Sequence, residues 1–251
     1  MQIIVDDLAV NYRLSGKGKT VVLLHGWADN LHTFDDLSKR LSDNYQVLAV
    51  DLPGFGGTQP PKTVWGLDDY CQFLANFFIK LQIKLPYAII GHSNGGALAI
   101  RGIASEIISS DKLILLASAG IRNTNKTKKT ATKLVAKTGK AVVFWLPNQQ
   151  KQKLRKRLYG TIGSDMLVVP QLQETFKKTV SQDVQNDASK LNIPVLLIFA
   201  DKDPAIPIED GRIYNQLIKD STLKVINGSD HFIHHDQQEL VESLIMEFLK
   251  K

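Results

Sequence analysis

Cysteine is nearly absent: Cys71 is the one thiol in 251 residues. That excludes an internal disulfide and removes any demand for an oxidising compartment. Long apolar runs are missing too, and the longest near the middle, residues 141–146, is far too short to cross a bilayer. The opening Met1-Gln2-Ile3-Ile4-Val5-Asp6-Asp7 has no basic stretch and meets acids at once, which argues against a signal peptide. There is no internal repeat, no low-complexity tract and no H-E-x-x-H pair of metal ligands. A cytoplasmic protein is the simplest expectation.

What remains is ordinary globular material, 43% hydrophobic and 22% charged, enough for one domain carrying a modest insertion. The net charge of +6 is unevenly placed. Residues 121–190 hold 15 Lys/Arg against 4 Asp/Glu, so a chain that is acidic elsewhere is strongly basic there. This marks a distinct unit. It reads first as a well-solvated surface, with attraction of anionic substrates or surfaces as the sharper alternative.

Short β-branched runs alternate with helical patterns, the arrangement of βαβ units and a parallel sheet. Ile3–Val5 and Ala9–Leu14 read as an opening hairpin through Asp6-Asp7. Continuous apolar runs follow at Val21–Leu24, Val47–Val50, Ala88–Ile90, Leu113–Ala117, Val195–Ala200 and Leu223–Ile226, as expected for strands covered on both faces. In residues 65–81, Leu67, Tyr70, Cys71, Leu74, Phe77, Phe78 and Leu81 share one helical face, so Cys71 reads as an inert core thiol. The C-terminal stretch repeats the pattern with Leu240, Val241, Leu244, Ile245, Phe248 and Leu249. Residues 122–186 break the rhythm with Lys-rich helical patterns at 126–145, 149–159 and from 171 to about 187. They are expected to form a helical cap on a core of residues 1–121 and 187–251.

Gly91-His92-Ser93-Asn94-Gly95 matches G-x-S-x-G, with a strand leading in and a helix leading out. A sharp strand-to-helix turn suits this motif, because side chains at its two glycine positions would collide. A serine hydroxyl needs a base to take its proton. His231, just after the last strand, lies on the sheet edge where the serine turn lies. His234 and His235 are expected to be solvated residues at a helix start, and no metal is expected. The base needs an acid to fix its tautomer, and Ala200-Asp201-Lys202-Asp203-Pro204 offers two carboxylates. In His25-Gly26-Trp27, after another strand, the Trp27 N–H pairs with that of Asn94 as a two-donor hole for an oxyanion. His25 reads as a brace for its loop.

With these residues assembled, the chain resembles the α/β-hydrolase family over nearly its whole length apart from the cap. The matching blocks are His25-Gly26-Trp27, Asp51-Leu52-Pro53-Gly54-Phe55-Gly56, Gly91 to Gly96, Pro194 to Pro207 and Gly228 to His231. The resemblance implies an α/β fold, a mostly parallel sheet flanked by helices. It also selects Asp203 over Asp201, since the family's acid commonly sits three residues after a small residue, here Ala200. The Asp51 loop is structural in the family. Haloalkane dehalogenases and epoxide hydrolases place a carboxylate where Ser93 stands, and proline iminopeptidases carry a different glycine-rich block.

The expectation is a cofactor-independent serine hydrolase, carboxylesterase-like, with a catalytic Ser93, His231 and Asp203 passing through an acyl-enzyme. Its partner is a small-molecule substrate with an apolar acyl part, held among Trp27, Trp145, Tyr159 and Phe232. Acyl transfer and C–C bond hydrolysis use the same triad, and a receptor retaining the pocket is the non-enzyme alternative. No specific nucleic acid is expected, because the lysines lack interleaved aromatics.

Overall fold

The computed structural model describes residues 1–122 and 170–251. Eight strands form one sheet: β1 (Gln2–Val5), β2 (Leu8–Ser15), β3 (Thr20–Leu24), β4 (Gln46–Val50), β5 (Ala88–His92), β6 (Leu113–Leu116), β7 (Val195–Ala200) and β8 (Ser221–Ile226). Their order across the sheet is β1-β2-β4-β3-β5-β6-β7-β8. The opening hairpin forms as expected, with both turn residues, Asp6 and Asp7, at positive φ. Aspartate tolerates that region better than most side chains. β2 is antiparallel to β4, and every pairing from β4 through β8 is parallel.

Helices cover both faces. They are α1 (Asp35–Ser42), α2 (Leu67–Lys80), α3 (Asn94–Ala104), α4 (Gln173–Ser181), α5 (Gln185–Ala188), α6 (Ile208–Leu217), α7 (Ile233–Asp236) and α8 (Gln238–Lys250). The unbroken apolar runs are explained by the pleat, which sends alternate residues to opposite faces. Val22, Leu24, Ile89 and Leu115 join the core under α2 and α3. Val21, Leu23, Ile90 and Leu116 join a second core with residues of α1 and α8. On α2 the expected face is buried, and Phe73 is buried beside it. Truncating a ring such as Phe77 to alanine costs about 3–5 kcal/mol at sites of this kind.

Three expectations are corrected. β8 is not an interior strand: it ends the sheet, so Thr222, Lys224 and Val225 stay exposed. On α8, Leu240 is exposed while Val241, Ile245 and Leu249 carry the packing. The helix expected from 171 to about 187 is divided. A short 3-10 turn (Pro170–Leu172) leads into α4, the chain becomes extended at Gln182, and α5 starts afresh. Asp183 accounts for the break, because its carboxylate accepts the Gln185 N–H at 2.7 Å, and such a local bond competes with helix continuation. The helical stretches expected at 126–145 and 149–159 lie outside the described residues. Among the described residues no helix is long and apolar enough to cross a membrane.

Candidate active site

The C-terminal ends of parallel strands lie along one edge of a sheet, the edge where such folds gather ligands. Here that edge collects the loops after β3, β4, β5, β6, β7 and β8. Ser93 follows β5 with φ 51 and ψ −116, a strained conformation for a residue with a side chain. Both backbone groups of Ser93 are held. Ser93 N–H donates to Leu116 O at 3.0 Å, and Ser93 O accepts from Ala119 N–H at 3.0 Å, both on the β6 side. The glycines are required by close approach. A Cβ on Gly91 would lie 2.6 Å from Gly96 N, and one on Gly95 would collide with the Leu24 carbonyl oxygen.

His231 and Asp203 meet. His231 Nδ1 lies 2.7 Å from Asp203 Oδ2, and the carboxylate is fully buried while the ring keeps some exposure. The other carboxylate oxygen accepts the Ala205 and Ile206 N–H groups at 2.7 and 2.9 Å. With both Asp203 oxygens acting as acceptors, the shared proton sits on His231 Nδ1 and Nε2 is left as the acceptor nitrogen. Among the described residues no hydrogen bond joins Ser93 Oγ to the imidazole. Bonds of this kind commonly tighten only in the Michaelis complex.

The β3 loop lies directly against the serine. A Cβ on Gly26 would come within 3.2 Å of Ser93 Cβ. Neither the Trp27 N–H nor the Asn94 N–H donates to an acceptor among the described residues. His25 braces this loop as expected, with Nδ1 on Gly26 O at 2.7 Å and Nε2 accepting from Leu52 N–H at 2.9 Å. Burial pushes its pKa down, so it stays neutral. Asp51 is structural as expected, bonding Leu31 N–H, Gly57 N–H and Asn11 Nδ2 at 2.7–2.8 Å. Cys71 is buried, and burial pushes its thiol up to about 12.

His234 departs from expectation. It is buried, and its Nε2 lies 3.1 Å from Thr33 Oγ1, a hydroxyl it shares with His235 Nε2 at the same distance. Burial, with the neighbouring His235 and His231, pushes the His234 pKa down to about 3. Phe232 stays 41% exposed and lies beside the histidine rings, 5.5 Å from His231. Trp145 and Tyr159 lie outside the described residues.

Two residues that periodicity does not single out pack against Trp27. Phe55 meets the indole edge-on at 4.8 Å, and Phe176, from α4, lies 5.0 Å away at a tilt. The segment carrying Phe176 is tied down along its length. Thr175 Oγ1 accepts Trp65 N–H, Lys178 pairs with Asp69, and Gln182 Oε1 accepts Leu67 N–H. Arg122 N–H then reaches Asp183 at 2.7 Å, and Val184 N–H reaches Gly120 O at 3.0 Å.

Comparison with known proteins agrees with this architecture. The family model described as serine aminopeptidase, S33, matches residues 16–238. The pimeloyl-[acyl-carrier protein] methyl ester esterase of Neisseria meningitidis serogroup B (strain H44/76) is 29% identical over 249 residues, covering 92% of this chain and 93% of its own. A meta-cleavage product hydrolase from Pseudomonas fluorescens IP01 superposes with a TM-score of 0.76 at 21% identity, over 100% of this chain and 97% of that one. A bromoperoxidase from Bacillus anthracis gives 0.80 at 20% identity, over 100% of both chains. These structures share the fold, and the family match spans most of the sequence. The chain belongs to the α/β-hydrolase family.

Proposed function

We propose that this protein is a serine hydrolase that cleaves a small carboxylic ester, with Ser93 as nucleophile, His231 as general base and Asp203 as its orienting acid. The observation that carries the reading is the 2.7 Å contact between His231 Nδ1 and a fully buried Asp203 carboxylate, beside a serine on a strained turn. His231 Nε2 takes the hydroxyl proton as Ser93 Oγ attacks the ester carbonyl carbon. Asp203 stabilises the imidazolium, and the Trp27 and Asn94 N–H groups receive the oxyanion. The protonated ring returns its proton to the departing alkoxide. Water, activated by the same nitrogen, then releases the acid from the acyl-enzyme. Trp27, Phe55 and Phe176 favour an apolar acyl part, and the relationship to a methyl ester esterase favours an ester over an amide. Residues 122–186 act as the cap, and the reaction is placed in the cytoplasm.

The test is a panel of chromogenic esters of increasing acyl length together with a fluorophosphonate probe. Wild type should turn over esters and be labelled once, at Ser93, and Ser93→Ala should lose both. Near-native turnover by Ser93→Ala would sink the assignment.

A further inference from the structure

We propose that His92, the residue before the nucleophile, is a positioning residue that fixes the general base through its backbone. The inference rests on the triad assigned above. His92 is fully buried at the end of β5, and its Nε2 lies 3.0 Å from the carbonyl oxygen of His231, 139 residues away. A carbonyl can only accept, so Nε2 carries the proton.

The rest of its surroundings fix that choice. Burial and the neighbouring His234 and His231 hold its pKa well below the ordinary histidine value, so the ring is neutral. Its Nδ1 is then a bare lone pair, and it has no hydrogen-bond partner among the described residues. That nitrogen faces the β3 loop, where a Cβ on Gly26 would stand 3.2 Å away. The ring is also packed against His231 and His234, with centroids 4.8 and 4.7 Å apart. A plain hydrophobic side chain would fill the same space without bringing two polar nitrogens into a buried position.

What the imidazole supplies is a fixed reference. Asp203 holds the His231 ring at Nδ1, but it does not anchor the main chain that carries the ring. His92 does, and it is joined by one peptide bond to Ser93. The spacing between nucleophile and base is thereby set from a single point on β5, itself held in register by Gly91 and His92 against Leu115 and Leu116. The same ring meets Gly26 of the oxyanion-side loop, so three loops that must agree to within a fraction of an ångström share one contact.

The experiment compares His92→Met with His92→Gln. Both side chains are unbranched and similar in size, and the glutamine amide nitrogen stands as many bonds from Cα as the imidazole Nε2. Only Gln keeps a donor. Measurements are kcat and KM on one chromogenic ester, the rate of fluorophosphonate labelling at Ser93, and the melting transition. His92→Met should lose on the order of 10²-fold in kcat and in labelling rate with KM within a few-fold, as expected for misplaced groups. His92→Gln should recover to within about tenfold of wild type, since it restores the one bond. Equal losses in two folded variants would mean the ring only fills volume, and an unchanged kcat in folded His92→Met would also overturn the proposal. Nitrogen NMR of wild type reads the tautomer whether or not the variants fold: a proton on Nδ1 of His92 overturns it. Absence of labelling at Ser93 in wild type would remove the triad reading and this inference with it. Labelling that is insensitive to His92 removes the inference alone.

Discussion

Asp201 grips the loop that carries His231, not its ring: its Oδ1 accepts the Gly228 N–H at 2.6 Å. Asp203, two residues on, holds the ring itself. The turn therefore gives two adjacent carboxylates different tasks. Asp203→Asn should cut kcat on the order of 10⁴-fold, because the amide can reverse the imidazole tautomer. Asp201→Asn keeps an acceptor for Gly228 and should stay within a few-fold of wild type. Steady-state kinetics on the two folded variants checks this, and a crippled Asp201→Asn beside a healthy Asp203→Asn would exchange the roles.

Phe176 should govern chain-length preference. Its ring packs against Trp27, one residue beyond the glycine that lies against Ser93. Phe176→Ala should reduce kcat/KM for a long acyl ester by about tenfold relative to the acetate. An unchanged ratio across the panel would place the acyl chain elsewhere.

Gly95→Ala should destabilise the fold by about 1–3 kcal/mol or more, because the added methyl meets the Leu24 and His25 carbonyl oxygens, backbone atoms that cannot step aside. Urea unfolding followed by circular dichroism would measure it. A variant with native stability would mean that α3 can slide along β3.

Two buried groups pull acid stability in opposite directions. His234 has its pKa pushed down to about 3 by burial and by His235 and His231, so the unfolded chain binds its proton first. Stability from this group is complete above the unfolded value near 6.5 and is lost as pH falls towards 3. Burial raises Asp210 to about 6 despite the nearby Arg122, so stability from that carboxyl falls as pH rises from about 4 through 6. His234→Leu should therefore flatten the acid arm of a stability profile, and Asp210→Asn should help most above pH 6. A His234→Leu protein as acid-labile as wild type would show that another group sets the arm.

Much of the candidate site's placement was legible because its residues hang on strand ends. Ser93, Asp203 and His231 each follow an apolar run, and parallel strands bring such ends to one edge whatever lies between them. The glycines of the serine turn were legible for a related reason, since close approach leaves a mark in residue type. Phe176 left no such mark. The buried face of its helix carries Thr175 and Thr179, not a leucine stripe, and Thr175 is there to accept Trp65 N–H. The burial of His234 was equally hidden: its partner is Thr33, 201 residues away, and no local pattern records that pairing. β8 was misread because a run ending in Val225-Ile226 looks the same at an edge as in an interior until its neighbours are known.

The bonds from Val184 to Gly120 and from Asp183 to Arg122 close a long excursion of the chain at its base. The sheet thus sees two ends held side by side, and closing them costs only weakly more as the chain between Arg122 and Pro170 lengthens. Loop-closure entropy grows only with the logarithm of length, about 0.6 kcal/mol for each doubling. Exchange of the residues between Arg122 and Pro170 for a longer or shorter stretch therefore adds little closure entropy, provided Gly120, Arg122 and the segment from Leu172 to Val184, which packs on and bonds to the core, are kept. The fold carries a graft point, two ends held together by backbone N–H bonds, between which the length of chain is free to change.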